Sequence, residues 1–343
     1  MSTPTLKIAG LAVAYPPNLV PSEDLDKLAY RWHKPSPALD KVLAINREQG
    51  LKPPFMDQPT PPTIKEITEL FLKDGVALAI SASHSAIREA GLAFDEITHI
   101  VATTCTASWN PGFDCCAGGL AGLQLAANLC QAAWRGQPAH VLLVACEITS
   151  PMCRSELERI SRDQEVRVGI TLFGDGASAL ILSLDYGSTP GIYELVNWTH
   201  LTAPDTYSDI RMDMDATGFK PTLSACIPTL TAPCTPLIYD TLLKTLSTPS
   251  VFPNLPTNPA DFDWAMHLGG ATILSTAQKA MQLDKDHMKA SWQVYENHGN
   301  TSSVSVLSVL HTLRGQPGRE WVVSVAFGPG VTAEGVLLRR LNQ

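Results

Sequence analysis

A helix predicted over residues 117–135 is apolar on nearly every face, and this feature limits the folds open to the chain. It consists mainly of Leu and Ala, and it is closed by Arg135 and Gly136, a cation and a glycine of the kind that end helices. A helix without a polar face has to be covered on all sides by the rest of the protein. The chain must therefore build layers of other elements around it.

Strands and further helices are predicted on both sides of this helix. Residues 140–146 form a continuous apolar run, which is typical of a strand covered on both faces. Further strands are predicted over 7–15, 97–104, 168–173, 177–184, 191–198, 264–267, 292–296, 320–326 and 331–341, and helices over 64–91, 237–246, 271–283 and 301–313. This alternation predicts an α/β fold with a largely parallel sheet. Because the scheme occurs twice, we expect two halves, residues 1–190 and 191–343.

Charge and cysteine content make nucleic-acid binding and a cysteine metal site unexpected for this chain. The net charge of −8 makes nucleic acid an unexpected partner, and 45% hydrophobic with 17% charged residues suits a large core. The eight cysteines contain no CxxC pair, so we expect no metal site. No signal peptide is recognised at the N-terminus, and the apolar run 8–15 is too short to span a membrane. Reduced thiols in the cytoplasm are the simplest expectation.

Cys115 and Cys116 stand where the apolar helix begins. The N–H groups and the positive dipole end of a first helical turn favour a thiolate, and they can also hold an oxyanion. Gly118 and Gly119 add no side chain, so a substrate or a neighbouring backbone can come close. The alternative is a pair of small buried cysteines without a chemical role.

Two further glycine-flanked turns carry residues of catalytic type, His267 and Asn300. Turns at the ends of strands are where open α/β sheets place their sites. An imidazole can take the proton of a thiol or pair with a thiolate, and a carboxamide can donate to an oxygen that becomes negative. Taken singly, His267 could be a structural histidine with its hydrogen bonds satisfied at a strand end, and Asn300 could be a helix cap. Together with a cysteine they favour catalysis.

Several motifs in order give the chain a resemblance to a known family: CAGGLAGL, RSELER, LFGDGASALIL, HLGGATIL, NHGNTSSVSVLSVL and FGPGVTAEGVLLRRL. The sequence resembles the type III polyketide synthases, the chalcone-synthase-like branch of the thiolase-fold ketosynthases, and above all their fungal group. The resemblance implies a duplicated, five-layered αβαβα fold and a homodimer. It also implies an enzyme that loads an acyl-CoA starter on cysteine, extends it with malonyl-CoA by decarboxylative condensation, and cyclises the product to pyrones or resorcinols. No metal or redox cofactor is implied.

The resemblance assigns roles to individual residues. Cys116 is the expected nucleophile, because related enzymes place Ala-Gly directly after it, although a plant-like spacing would select Cys115. His267 and Asn300 match the catalytic histidine and asparagine. The substrate cavity is expected to be lined by Phe173, Pro221, Gly269, Gly270, Ser302 and Pro329. The phosphates of CoA are expected near Lys41, Arg47 and Lys52.

One departure from the family pattern lies before the nucleophile. The family places a loop, a helix and a strand between its Asn-Pro-Gly turn and the cysteine, whereas here residues 110–114 run straight into Cys115. The strand that should deliver the cysteine is therefore absent from the sequence. Two alternatives to a polyketide synthase remain: a β-ketoacyl synthase III-like condensing enzyme, and a catalytically impaired thiolase-fold protein that binds acyl-CoA.

Overall fold

The computed structural model describes residues 4–17, 22–46, 60–107, 115–133, 137–185, 189–246 and 252–341. Its strands are β1 (Thr5–Ala14), β2 (His99–Thr103), β3 (Ala139–Glu147), β4 (Gly176–Asp185), β5 (Tyr193–Thr202), β6 (Ile210–Asp215), β7 (Gly218–Leu223), β8 (Phe262–Met266), β9 (Trp321–Gly328) and β10 (Thr332–Arg340). Its helices are α1 (Ser22–Trp32), α2 (Pro37–Asn46), α3 (Ile64–Leu70), α4 (Val76–Ala90), α5 (Gly118–Ala133), α6 (Met152–Asp163), α7 (Gly169–Leu172), α8 (Ile227–Thr231), α9 (Cys234–Lys244), α10 (Ala271–Ala280), α11 (Lys289–His298) and α12 (Ser305–Arg314).

Eight of the strands form one mixed sheet in the order β2-β3-β4-β1-β5-β10-β9-β8. The predicted largely parallel sheet is wrong, because among these described strands only β2-β3 and β8-β9 pair in parallel and the other five pairings are antiparallel. The first four come from the N-terminal part of the chain and the last four from the C-terminal part. In this sheet the two sets meet where β1 pairs antiparallel with β5, through Lys7 with Glu194 and Ile8 with Tyr193. This arrangement is compatible with the predicted boundary near residue 190, which stays a prediction. The other two strands, β6 and β7, form a separate hairpin.

Helices cover the sheet in layers. The apolar helix α5 contacts β2, β3 and β4 on one side and β9 and β10 on the other, and α12 lies beside it in contact with β1, β4, β8 and β9. Helix α4 packs on the opposite face of β1, β3 and β4, while α9 packs on β5 and β10. The layers therefore follow the order helix, strand, helix, strand, helix. The prediction that other elements cover α5 on all sides is confirmed, because this helix forms the middle layer.

The sheet ends at β2 within the described residues. Strand β2 pairs on one side with β3, and Ile100 on β2 is 68% exposed. An exposed apolar side chain on an end strand is unusual, because open edges invite pairing with another chain. Residues 110–114, on which the expected loss of a strand rests, lie outside the described residues.

Two predicted strands are wrong. Residues 292–296 belong to α11, because Ala290, Ser291 and Val294 are buried at helical spacing. Residues 168–173 contain the short helix α7 instead of a strand. Among the helices that the structure describes, none has the length and apolar character needed to cross a membrane.

Candidate active site

Cys116 lies in a short 3₁₀ turn, Cys115–Ala117, that leads directly into α5. The first turn of α5 packs tightly against the segment around Ser303, since a Cβ at Gly119 would overlap the carbonyl oxygen of Ser303. Glycine at this position therefore serves a close approach of backbone to backbone. The side chain of Cys115 lies outside what the structure describes, so the choice between the two cysteines rests on the position of Cys116.

Ser302 lies directly behind the sulfur of Cys116. Its hydroxyl is 3.4 Å from Sγ of Cys116 and 3.3 Å from Sγ of Cys105. The side chain is 1% exposed, and Ser302 is absent from the residues that line the large cavity described below. The structure thus places Ser302 against the thiol, and not on the cavity wall where the motif resemblance put it.

His267 directly follows β8 and is 2% exposed. Its backbone N–H donates to the carbonyl oxygen of Val325 at 2.8 Å. Within the part of the chain that the structure describes, its Nδ1 atom has no hydrogen-bond partner. Burial lowers the pKa of His267 to about 4, so the imidazole is neutral near pH 7. A neutral ring can donate one N–H to an oxyanion.

Asn300 is 2% exposed and has a fixed orientation. Its Oδ1 atom accepts the backbone N–H of Ser302 at 2.8 Å and the hydroxyl of Ser305 at 3.1 Å. A backbone N–H can only donate, so the atom facing it must be the oxygen of the carboxamide. The N–H₂ group of Asn300 is therefore available on the other side. This is the donor that the sequence predicted.

A cavity of about 730 Å³ brings these residues together. Cys116, His267 and Asn300 all line it, although they come from three distant parts of the chain. The volume lies within the range of roughly 300–1,000 Å³ that is usual for small-molecule sites. Of the predicted wall residues, the structure places four on it and leaves Ser302 and Pro329 off it; the four are Phe173, Pro221, Gly269 and Gly270.

The mouth of the cavity is marked by exposed residues among its lining: Glu165, Val166, Ala225, Ala271 and Thr272. The last two belong to the first turn of α10. Lys41, one of the three cations expected to meet CoA, is exposed on α2. The other two, Arg47 and Lys52, lie outside the described residues.

Phe173 and Pro221 lie between the cavity and a second, small space of about 20 Å³, and they line both spaces together with Glu156 and Gly169. The β7 segment that carries Pro221 is held by Arg167, which donates to the carbonyl oxygen of Pro221 at 2.9 Å. Arg167 also forms an ion pair of 2.9 Å with buried Glu156. The wall at this point is therefore tied to the protein interior.

Glu147 is a buried residue near the site, and the sequence analysis did not identify it. It is 0% exposed and accepts hydrogen bonds from the N–H of Cys105 and the hydroxyl of Thr106, both at 3.0 Å, and from the hydroxyl of Ser303. Burial raises the pKa of its carboxyl group, and these hydrogen bonds oppose the rise. The available signal was its position at the end of the buried strand β3.

Two family models match parts of the chain, and the curated relatives are type III polyketide synthases. Residues 204–342 match the C-terminal domain of chalcone and stilbene synthases, and residues 114–196 match 3-oxoacyl-[acyl-carrier-protein] synthase III. The type III polyketide synthase pspB of Penicillium soppii is 33% identical, over 98% of this chain and 96% of the relative. The acylalkylpyrone synthase csyB of Aspergillus oryzae is 31% identical, over 98% of this chain and 94% of the relative.

Solved structures give the same picture. A type III pentaketide synthase from Neurospora crassa superposes with a TM-score of 0.91 at 43% identity, covering 98% of this chain and 99% of the other. CsyB complexed with CoA-SH superposes with a TM-score of 0.90 at 32% identity, covering 98% and 100% of the two chains. The alignment with pspB spans 387 positions, more than the 343 residues of this chain. It must therefore contain positions at which the relative has residues that this chain lacks.

Proposed function

Because the chain belongs to the type III polyketide synthases, we propose that Cys116, His267 and Asn300 carry out a decarboxylative condensation of CoA thioesters. The family membership confirms the motif resemblance and the thiolase-like α/β fold. The observation that carries the proposal is the single cavity of about 730 Å³ lined by all three residues. The products would be pyrones or resorcinols, the class that includes the acylalkylpyrones named for csyB.

Loading begins at Cys116. Its thiolate attacks the carbonyl carbon of an acyl-CoA starter, a new S–C bond forms, and the CoA thiolate leaves. The hydroxyl of Ser302, 3.4 Å from Sγ, can donate to the sulfur and stabilise its negative charge. The backbone N–H groups of the first turn of α5 can stabilise the oxyanion of the tetrahedral intermediate.

Extension uses the other two residues. Malonyl-CoA loses CO₂, and the electron pair of the broken C–C bond becomes an enolate on the thioester. Neutral His267 and the N–H₂ group of Asn300 supply donors to the enolate oxygen. The enolate carbon then attacks the acyl group on Cys116 and displaces the thiolate. Thioester activation and loss of CO₂ supply the driving force, so this chemistry needs no metal or redox cofactor.

CoA thioesters as substrates fit the open mouth at the first turn of α10, and CsyB was crystallised with CoA-SH. The chemistry requires Cys116 to stay reduced, so we place the enzyme in the cytoplasm, where thiols are kept reduced.

A homodimer is also proposed, with the open edge of β2 at its interface. Exposed Ile100 lies on this edge, and a two-fold axis would let the two copies pair their edges with each other. Sedimentation should show a dimer that Ile100→Lys weakens. A Lys substitution that leaves the dimer intact would remove β2 from the interface.

A second candidate, an impaired acyl-CoA-binding protein, is favoured by one observation. The alignment with pspB requires gaps in this chain, and the sequence lacks the expected strand before Cys115. This candidate predicts that acyl-CoA binds without condensation.

The test uses radiolabelled malonyl-CoA with an acyl-CoA starter. We expect labelled pyrone or resorcinol from the parent protein and none from Cys116→Ala. The matched control is Cys130→Ala on the same helix, because burial raises the pKa of the Cys130 thiol to about 12 and keeps it unreactive. Binding without product in the parent protein would support the second candidate. Equal product from Cys116→Ala would rule out Cys116 as nucleophile.

A further inference from the structure

Tyr15 and His298 stack their rings across the two parts of the chain. The ring centroids are 3.6 Å apart and the planes differ by 2°. Tyr15 follows β1, and His298 is the last residue of α11, two positions before Asn300. Both residues are absent from the lining of the large cavity. The pair therefore acts on the site indirectly, and the chain from His298 leads to Asn300.

Burial keeps both rings uncharged. It raises the pKa of Tyr15 to about 12 and lowers the pKa of His298. The stack is thus a contact between two neutral aromatic rings. Rings at this separation touch over their faces, so a shift of one ring has to be accommodated by the other.

The two glycines of the Gly-Asp-Gly turn enclose this pair. A Cβ at Gly176 would lie 3.2 Å from two ring carbons of Tyr15, and a Cβ at Gly174 would overlap the carbonyl oxygen of His298. Asp175 between them accepts the backbone N–H groups of Thr149 and Ser150, at 2.7 and 2.8 Å. The turn is therefore anchored to the segment after β3 while it packs against the stack.

The chain from His298 to Asn300 leaves little freedom between the stack and the carboxamide. Gly299 has φ 65° and ψ −155°, a conformation open almost only to glycine. Asn300 then donates its N–H to the carbonyl oxygen of Leu172 and accepts the N–H of Gly174, both at 2.9 Å. Asn300 is held by this backbone bridge, and the ring stack holds His298 two residues before it.

We propose that Tyr15 and His298 are positioning residues that set the carboxamide of Asn300 for enolate stabilisation. The inference rests on the proposed function, in which Asn300 acts on malonyl-CoA and Cys116 acts on the starter. It makes residue 15, in the N-terminal part of the chain, a determinant of the chemistry that Asn300 performs in the C-terminal part. Loss of the stack should therefore affect decarboxylation and spare the loading of Cys116.

The test separates these two reactions in His298→Ala and His298→Phe. Decarboxylation of malonyl-CoA is followed by CO₂ release, and loading of Cys116 by the mass of the intact acyl-enzyme. A displacement of about 1 Å at a catalytic group can cost roughly 100-fold in rate. For the partial displacement expected here, His298→Ala should slow decarboxylation about ten-fold and change loading less than two-fold. His298→Phe keeps a flat ring and should restore most of the decarboxylation rate.

Tyr15→Leu removes the same stack from the other side and should reproduce the split. Tyr239→Leu is the control for a general loss of stability, because Tyr239 packs on Phe262 and Trp264 with centroids 5.5 Å away in each case. It should lower the melting temperature without separating the two reactions. Equal losses of both reactions in His298→Ala and Tyr15→Leu, or no recovery in His298→Phe, would overturn the positioning role.

Asn300→Ala distinguishes this inference from the proposed function. If Asn300→Ala decarboxylates malonyl-CoA normally, the role of Asn300 is wrong and the positioning role falls with it. If Asn300→Ala loses decarboxylation while both stack variants keep it, the proposed function stands and only the positioning role is overturned.

Discussion

Replacing Gly119 with alanine tests whether the helix of Cys116 has to touch the segment around Ser303. The new Cβ would overlap the carbonyl oxygen of Ser303 and would lie 3.1 Å from Cγ1 of Val306 and 3.3 Å from Cγ of Leu307. The first neighbour is backbone and cannot rotate away, so α5 must move. Alanine gains about 1 kcal/mol over glycine in a helix, whereas overpacking a core costs about 1–3 kcal/mol. We expect a net destabilisation of up to about 2 kcal/mol.

Gly122→Ala on the same helix is the matched control. Its Cβ would approach Cδ1 of Leu143 to 2.6 Å, but that atom ends a flexible side chain that can change rotamer. Stability is measured by urea unfolding, and loading of Cys116 by intact mass. Gly119→Ala should load at least about ten-fold more slowly, because movement of α5 changes the contact between Cys116 and Ser302. Gly122→Ala should load within about two-fold of the parent. Normal stability and loading in Gly119→Ala would refute the reasoning.

Three further predictions concern His267, Ser302 and Phe173. The pKa of His267 is lowered from 6.5 to about 4. As the pH falls, the imidazole is therefore protonated in the unfolded chain before it is protonated in the folded protein. The corresponding stability is therefore complete above about pH 6.5 and is lost as the pH falls towards 4, by about 2 kcal/mol between pH 7.5 and pH 5. Urea unfolding should show a pH dependence weaker by this amount in His267→Gln, and identical pH dependences would contradict the assignment. Ser302→Ala removes the hydroxyl 3.4 Å from Sγ of Cys116 and should slow alkylation of Cys116 by iodoacetamide up to about ten-fold, as measured by mass; an unchanged rate would show that the hydroxyl does not support the thiolate. Phe173→Ala removes the ring that lies between the two spaces and should shift kcat/KM towards longer acyl-CoA starters, whereas an unchanged preference would argue against a dividing role.

The sequence predicted correctly those elements that are buried because their own residues are almost all apolar. The apolar strand predicted at 140–146 is β3, and the apolar helix predicted from 117 is α5. The strand predicted at 292–296 failed because a distant contact decides that segment. Ser291 receives the N–H of Met266 at 2.9 Å, which fixes α11 against β8. Sequence pattern does not show such a contact, and the Trp, Val and Tyr residues there favour a strand.

The same distinction applies to the site. Cys116, His267 and Asn300 could be proposed from sequence because each belongs to a glycine-flanked turn after or before a regular element. Glu147 and the contact of Ser302 with the thiol could not, because their partners are far away in the chain. Ser303 donates to Glu147 from 156 positions away, and Ser302 reaches Cys116 over 186 positions. Only the packing of the middle layer brings these groups together.

Because of that packing, the short segment 302–303 contacts both the residue that loads the starter and the residue that acts in decarboxylation. Ser302 donates its backbone N–H to Asn300, and its hydroxyl contacts the sulfur of Cys116. Ser303, the next residue, donates to Glu147 and faces Gly119 at the start of α5. A shift of this segment therefore moves the amide and the environment of the thiol together. His267 is held instead by β9, because its backbone N–H donates to the carbonyl oxygen of Val325. Perturbing residues 302–303 should thus impair loading and decarboxylation together, whereas perturbing His267 should impair decarboxylation alone.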